Sequence, residues 1–173
     1  MESVHELVYG KRNVRNMVSQ ENVIDAQNKW GAGVVKIGSL KDNRAECEAY
    51  SNEFLDELYA FGDGPVLFKP TKCALQQFRP IKDEALSYFI AGENRACAED
   101  SGFALQPWTK VRFENAGYIL EANRAIAMGN YFFTTVDGLE VKVEYTFGYK
   151  VSNGELKIDL HHSSFPYTPP VSS

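Results

Sequence analysis

The chain has 173 residues and a formal charge of −5, with 44% apolar and 24% charged residues. This composition is typical of one globular domain and excludes a disordered or low-complexity chain. The acidic balance, without any block of lysines and arginines, argues against nucleic acid as a partner, and no apolar run is long enough to span a membrane.

Two helices are predicted at the start of the chain. Ser19 can cap the first, in which apolar residues recur at helical spacing as far as Ile37, although three glycines weaken the later turns. The second is predicted over residues 45–61, because the turn residues 62–65 stop it.

A short strand and a third helix follow. The apolar residues 66–68 predict the strand, and Pro70 ends it because proline has no N–H group for a ladder. Asp83 can cap the third helix, which ends at Gly92. Residues 93–102 are polar and predict a surface loop.

The second half of the chain predicts an antiparallel meander. The predicted strands cover residues 109–120 (bent at 114–116), 125–135, 141–151 and 156–164. Asp137–Gly138 and Asn153–Gly154 are hairpin signals, since a type I′ turn needs positive φ at both central residues. We therefore predict an α+β fold in a single domain over residues 1–173, with the helices on one face of a curved, mostly antiparallel sheet and a conical cavity between them. Residues 1–18 are predicted to be an N-terminal extension or arm.

The last strand carries two histidines followed by two serines. Side chains alternate between the faces of a strand, and the apolar residues within 156–160 should face the core. This parity carries His162 and Ser164 toward the cavity and turns His161 and Ser163 toward solvent or a partner. Ordinary hydrogen-bonded burial in the core explains His162 and Ser164 as well as a functional role does.

Two aromatic side chains are candidates for the cavity. Tyr88 lies off the apolar stripe of the third helix and is predicted to point toward the cavity mouth. Trp108 can line a pocket, although core packing is the simpler interpretation. A locally basic stretch around Thr71 contains Lys69, Lys72 and Arg79. It is either ordinary surface charge or a means of attracting a small anion.

Several chemistries are disfavoured by spacing. Acyl hydrolysis needs a histidine placed to take the proton of the serine hydroxyl, and residues two apart on one strand do not normally adopt that arrangement. The sequence also has no Gly-x-Ser-x-Gly elbow. The three histidines form no His-Glu-x-x-His motif and cannot assemble a three-histidine zinc site. The three cysteines include no Cys-x-x-Cys pair, which favours free thiols in a reducing compartment. Residues 1–17 lack the apolar core of a secretory signal.

Six segments are distinctive in combination. They are VLFKPTK at 66–72, ALSYF at 85–89, FALQPWTKVRFENAG at 103–117, AMGNYFF at 127–133, KVEYTFGY at 142–149 and LHHSS at 160–164. Together they resemble the iota-class carbonic anhydrases, whose fold is like the association domain of calcium/calmodulin-dependent kinase II within the nuclear-transport-factor-2-like superfamily. The resemblance extends from about Ser19 to Pro169, and it implies a cone-shaped sheet with the helices on its concave face.

The resemblance implies reversible hydration of carbon dioxide to bicarbonate, without a metal cofactor in some members and with manganese or zinc in others. The site residues predicted from it are, in catalytic roles, Thr71, Tyr88, Ser164 and His162 and, in substrate binding, Ser163, His161 and Trp108. Hydroxyl groups would hold one water against carbon dioxide, and His162 would relay the proton because imidazole titrates near neutrality.

The alternative is a non-catalytic module of the same fold that binds a small ligand or drives oligomerisation. A homodimer is expected if four aromatic residues project from the open face of the sheet: Tyr131, Phe133, Tyr145 and Phe147. Algal relatives suggest a plastid, and bacterial relatives suggest the cytoplasm or the envelope. We expect a reducing compartment, either the cytoplasm or the chloroplast stroma.

Overall fold

Three α-helices precede a five-stranded sheet in the computed structural model, which describes residues 17–171. The elements are α1 (Gln20–Ser39), α2 (Arg44–Leu58), β1 (Leu67–Lys69), α3 (Lys82–Ile90), β2 (Lys110–Leu120), β3 (Arg124–Thr134), β4 (Glu140–Ser152) and β5 (Glu155–Ser164). The predicted N-terminal extension, and the interpretation that residues 1–17 hold no secretory signal, fall almost entirely outside the described residues and stay predictions.

The strands lie in the order β1-β5-β4-β3-β2, and among them only β1 and β5 run parallel. The helices cover one face of the sheet, with α1 against β2 and α2 against β5. The α+β prediction is therefore confirmed. No helix within residues 17–171 has the length and apolar character needed to cross a membrane.

Helix α1 begins where the sequence predicts. The Ser19 hydroxyl accepts the backbone N–H of Asn22 at 3.1 Å, and the Asn22 side chain accepts the backbone N–H of Ser19 at 2.9 Å, a reciprocal cap that satisfies two otherwise free donors. The helix continues through its three glycines, which lie where neighbouring elements approach it closely. A methyl group on Gly33 would overlap the ring of Phe54, so this glycine lets α2 approach α1.

Helix α2 ends three residues earlier than predicted. Tyr59 adopts an extended conformation (φ −114°, ψ 150°), and a single 3₁₀ turn follows at Ala60–Gly62. The extended backbone forms an isolated bridge to Ile158 of β5, and the Tyr59 side chain enters the core, where it is 0% exposed. This break in the helix is what brings Tyr59 to the centre of the fold.

The sheet contains a predicted bend and an unpredicted one. Strand β2 shifts register between Asn115 and Gly117, as the interruption in its sequence indicates. Strand β5 shifts register as well. Gly148 of β4 pairs with Leu160 and the next residue of β4 pairs with Ile158, so Asp159 is opposite no residue of β4. Asp159 is therefore a β-bulge, an extra residue that resets the alternation of side chains after it.

The bulge reverses the predicted faces of the HHSS motif. His161 is 2% exposed and Ser163 is 1% exposed on the helix-covered face, whereas His162 is exposed and Ser164 is half-buried on the outer face. The prediction that His162 and Ser164 point toward the cavity is wrong, because strict alternation from the apolar residues does not count the extra residue at 159.

The aromatic residues of β3 and β4 lie under the helices. Trp30 of α1 packs against Tyr131 and Phe147 with ring centroids 5.6 Å apart in each pair. All four residues expected on an open face are buried: Tyr131, Phe133, Tyr145 and Phe147. The sequence-based condition for a dimer is therefore not met, since these large apolar rings are covered by helix α1 rather than left for a partner.

Candidate active site

A chain of hydroxyl groups crosses from β1 to β3 beneath the helices. The Thr71 and Ser163 hydroxyl oxygens are 2.5 Å apart, and the Ser163 oxygen lies 2.5 Å from the Tyr131 phenol oxygen. The same phenol lies 3.3 Å from Nε2 of His161. Thr71, Tyr131 and Ser163 are called the hydroxyl cluster below.

The parallel pairing of β1 with β5 places Thr71 beside Ser163. Lys69, the last residue of β1, is in register with His162. Pro70 follows and cannot continue the ladder, so the chain leaves the sheet and Thr71 turns back over the end of β5. The Lys69 ammonium donates a hydrogen bond to the Ser163 carbonyl at 2.8 Å, which fixes the two segments together.

Tyr88 lies next to the hydroxyl cluster. Its phenol accepts the backbone N–H of Lys72 at 3.3 Å, and its ring stacks on Phe103 with centroids 5.4 Å apart. Burial raises the pKa of Tyr88, and hydrogen bonds from Lys72 and Thr71 oppose that shift only in part. The phenol is therefore protonated at neutral pH and available as a donor. The structure brings Tyr88 and Thr71 together, as expected, while their catalytic roles stay predictions.

His161 closes the inner end of the chain. Its Nδ1 lies 2.9 Å from the Tyr59 phenol oxygen, which accepts the indole N–H of Trp30 at 2.9 Å. The ring lies among aromatic side chains, with centroids 4.6 Å from Phe68 and 4.3 Å from Phe147. Burial lowers the pKa of His161 well below its ordinary value of 6.5, so the ring is neutral.

The remaining predicted residues lie elsewhere. His162 and Ser164 face outward, in register with Thr146 and Glu144 of β4, so neither touches the hydroxyl cluster. Trp108 is buried, and its indole N–H donates to the backbone carbonyl of Phe103 at 2.9 Å. Its substrate-binding role stays a prediction.

Arg79 does not belong to a basic surface. It is 0% exposed and donates to both carboxylate oxygens of Asp100 at 2.8 Å, while the Ser87 hydroxyl donates to the same carboxylate at 2.6 Å. Neither sequence-based interpretation of Arg79, as surface charge or as an attractor of anions, is right, because its charge is neutralised by a buried partner.

The loop after Thr71 is anchored by a single carboxylate. Glu99 accepts the backbone N–H groups of Ala74, Leu75 and Gln76 at distances between 2.7 and 3.1 Å. These hydrogen bonds lower the pKa of Glu99, so the anchor is ionised at neutral pH. Thr71 is therefore held in place on both sides, by β1 and by this loop.

Two members of the arrangement were not predicted as site residues. Tyr131 belongs to the quoted segment AMGNYFF, which is the available signal, but the sequence predicts it only as one of the four aromatic rings of a possible dimer face. Tyr59 carries no motif, and only the early end of α2 reveals it.

The described residues contain no metal-ligating cluster, and a large groove lies away from the hydroxyl cluster. Within residues 17–171, no three or more His, Cys, Asp or Glu side chains are grouped so as to hold a metal ion. A groove of about 990 Å³ lies elsewhere, between the start of α1, the end of α2 and the β4–β5 hairpin, and it contains none of the hydroxyl cluster.

The chain matches the family model of the metal-independent carbonic anhydrases over residues 21–165. It is 37% identical over 158 residues to a metal-independent carbonic anhydrase from Nostoc sp. (strain PCC 7120). The aligned region covers 89% of this chain and 77% of that relative.

Solved structures agree with the family match. The crystal structure of an iota-carbonic anhydrase from a cyanobacterium, complexed with bicarbonate, superposes with a TM-score of 0.84 and 35% identity, covering 89% of this chain and 96% of the other. A protein from Xanthomonas campestris described as a calcium/calmodulin-dependent kinase II association domain gives 0.60 at 22% identity, over 86% of this chain and 89% of the other. An NTF2-like protein from Shewanella oneidensis gives a TM-score of 0.51 at 12% identity, over 83% of this chain and 97% of the other. The last two show the fold alone, which is NTF2-like as expected.

Proposed function

Because this chain belongs to the family of metal-independent, iota-class carbonic anhydrases, we propose that its hydroxyl cluster, with Tyr88 beside it, binds carbon dioxide and bicarbonate and carries out the hydration. The observation that supports this assignment is the position of Ser163. Its hydroxyl is buried, lies at the end of a strand and is 2.5 Å from both Thr71 and Tyr131, so three hydroxyls converge on one small region.

The reaction joins a water oxygen to the carbon of carbon dioxide. One C=O electron pair moves onto oxygen, a proton leaves the attacking water, and bicarbonate results. Negative charge therefore develops on the oxygens of carbon dioxide, and hydroxyl donors fixed beside them stabilise the transition state as an oxyanion hole does. Thr71, Tyr88 and Ser163 are the donors that the geometry offers.

The site acts without strong acidification of water. Zinc lowers the pKa of its bound water in carbonic anhydrase to about 7, far below that of bulk water. In the absence of that field, the chain's contributions are orientation of water against carbon dioxide and exclusion of bulk solvent. The aromatic rings of Phe68, Phe103 and Phe147, which surround His161 and Tyr88, supply the apolar walls.

The released proton passes to solvent or buffer. Burial raises the pKa of the phenols of Tyr88 and Tyr131 and lowers that of His161, so none of these groups holds the proton at neutral pH. The relay through His162 expected from the sequence is not part of this proposal, because His162 faces the outer side of the sheet.

Lysines at the open side of the site favour the charged product. Lys69 and Lys72 flank Thr71, which is itself half-buried and marks the accessible end of the hydroxyl cluster. Two ammonium groups at this point raise the local concentration of an anion such as bicarbonate.

A stopped-flow carbon dioxide hydration assay after exhaustive chelation tests the proposal, with Ser163→Ala and Ser164→Ala as a matched pair. The chelated wild-type protein should be active. Loss of one oxyanion donor in Ser163→Ala should lower kcat by about 10²- to 10³-fold, whereas Ser164→Ala, a change on the outer face, should stay within about twofold.

Three results would contradict it. Equal rates in the two variants would remove Ser163 from the mechanism. Activity that disappears on chelation and returns with manganese or zinc would contradict metal-free hydration in this chain. No hydration with or without either metal would favour the non-catalytic binding or oligomerisation module.

We also propose a homodimer, formed through the outer face of the sheet rather than through the buried aromatic residues. Three apolar side chains of that face are more than half exposed, namely Leu67, Ile119 and Met128. Sedimentation equilibrium should give twice the chain mass for the wild type and a weakened dimer for Met128→Glu. A monomer at every concentration would refute it.

A reducing compartment is the location we propose, either the cytoplasm or the chloroplast stroma. All three cysteines are free thiols, and Cys47 and Cys97 are buried. Cys73 is partly exposed, and burial raises its pKa to about 11, so it is a poor nucleophile at neutral pH. Titration of three thiols in protein purified without reductant would support the proposal, and an oxidised pair would refute it.

A further inference from the structure

Both ring nitrogens of His161 face a phenol. Nδ1 lies 2.9 Å from the Tyr59 oxygen and Nε2 lies 3.3 Å from the Tyr131 oxygen. The neutral ring carries one proton, so one nitrogen donates a hydrogen bond and the other accepts one. Which nitrogen holds the proton decides the direction of every hydrogen bond between His161 and the substrate.

The surroundings of Tyr59 settle that direction. Its oxygen accepts the indole N–H of Trp30, a group that can only donate. Tyr59 is fully buried, and within residues 17–171 its hydrogen bonds run to Trp30 and His161 alone. The Tyr59 hydroxyl hydrogen therefore has Nδ1 of His161 as its acceptor. The reverse arrangement would leave a buried O–H without an acceptor, which is the costly state for a hydroxyl.

Once Nδ1 accepts, the proton of His161 is on Nε2, and the rest follows in sequence. Nε2–H donates to Tyr131, and the Tyr131 hydroxyl donates to Ser163. The hydrogen of the Ser163 hydroxyl then points away from Tyr131, toward Thr71 or a bound molecule. Donation runs one way, from the indole of Trp30 to the Ser163 hydroxyl.

We propose that Tyr59 is a positioning residue which holds His161 as the Nε2–H tautomer and so makes the hydroxyl cluster a donor toward the substrate oxygens. This inference rests on the proposed function of the cluster. In the opposite tautomer, Nε2 would accept from Tyr131, the chain would reverse, and oxygen lone pairs of the cluster would face the developing negative charge. Tyr59 thus sets the electrostatic sign of the site from a position that does not touch substrate.

Nitrogen-15 NMR of the His161 ring tests the tautomer directly, in the wild-type protein and without any catalytic assay. The protonated nitrogen should be Nε2, with Nδ1 as the acceptor. In Tyr59→Phe, where the hydroxyl that donates to Nδ1 is gone, signal from the Nδ1–H tautomer should appear.

Tyr149→Phe is the matched control. Tyr149 is also a buried tyrosine beside Phe147, but its hydroxyl has no hydrogen-bond partner among the described residues. The control removes the same atom from a similar environment, and the His161 tautomer should not change.

The kinetic consequence should appear in kcat rather than in KM. Removing the partner that orients a metal-bound imidazole costs about 10- to 100-fold. We expect a loss of the same order in kcat of Tyr59→Phe, while Tyr149→Phe stays within about twofold. A purely structural role of Tyr59 would lower the unfolding midpoint without altering the tautomer.

Two outcomes overturn the inference: a proton on Nδ1 in the wild-type protein, or an unchanged tautomer and kcat in folded Tyr59→Phe. Failure of the proposed function would look different. If Ser163→Ala kept full activity while His161 still held its proton on Nε2, the hydroxyl cluster would lose its catalytic role and the tautomer assignment would stand.

Discussion

The two histidine–serine pairs of β5 have the same side chains in opposite surroundings. His161 and Ser163 face the helices, and each hydrogen-bonds to buried hydroxyls. His162 and Ser164 face outward beside polar residues of β4. The chemical capacity of this motif therefore depends on which pair the sheet turns inward, and one extra residue decides it.

That extra residue, Asp159, is held from two sides. Its carboxylate accepts a hydrogen bond from Arg124 of β3 at 2.6 Å. Opposite it, Gly148 makes room: a β-carbon there would lie 2.8 Å from the β-carbon of Leu160. The bulge is thus built by residues from three strands, and it is a fixed feature of the sheet.

The largest effect is expected from replacing both inward residues of the motif, in the double variant His161→Phe/Ser163→Ala. This double variant keeps the bulge but removes the hydrogen bonds of His161 to Tyr59 and Tyr131 and takes the Ser163 hydroxyl out of the hydroxyl cluster. Hydration activity should fall by more than about 10³-fold, since the loss exceeds that of a single oxyanion donor. Stopped-flow assays together with circular dichroism check this.

The control changes the outward pair in the same way, as His162→Phe/Ser164→Ala, on the outer face of the sheet. It should retain most of the activity. Equal rates in the two double variants would show that the facing of the two pairs is irrelevant to catalysis.

A smaller effect on stability should separate the two histidines. His161→Phe keeps an aromatic ring but leaves the Tyr59 hydroxyl without its acceptor, at a cost of about 1–3 kcal/mol in the free energy of unfolding. His162→Phe changes an exposed side chain and should stay within about 0.5 kcal/mol. Urea denaturation of both variants measures the difference, and equal losses would contradict the burial of His161.

The pH dependence of stability should sharpen the same contrast. Burial lowers the pKa of His161 below 6.5, so on acidification the unfolded chain binds a proton that the folded protein does not. The free energy of unfolding should therefore be constant above about pH 7 and fall below about pH 6.5, by up to about 1.4 kcal/mol per pH unit.

Urea titrations between about pH 7.5 and 5.5 test the slope. His161→Phe should flatten it, because the titrating ring is gone, and His162→Phe should keep it. A slope unchanged in His161→Phe would assign the acid sensitivity to other groups.

Features set by local sequence could be predicted for this chain. The cap at Ser19, the bend of β2 and the hairpin at Asn153–Gly154, where φ is +51° and +82°, each depend on a few neighbouring residues. At the other hairpin, only Gly138 takes a positive φ, so the dipeptide marked the turn but not its type.

Features set by distant contacts could not be predicted. The bulge at Asp159 depends on register with β4 and on Arg124, which lies 35 residues away. Arg79 looked like surface charge because its partner, Asp100, comes 21 residues later. The resemblance supplied Thr71, Tyr88 and Ser164 as expected site residues, whereas simple alternation assigned Ser164 to the wrong face because it did not count the extra residue.

The two edge strands of the sheet, β1 and β2, bear on whether copies of the chain can aggregate by strand addition. Strand β1 is only three residues long and is followed by Pro70, and the opposite edge, β2, is interrupted by its own bulge. Neither border offers a long run of free N–H and C=O groups as a template for a foreign strand. Growth of the sheet into fibrils by edge-to-edge addition is therefore disfavoured, even though most of the chain's second half is extended.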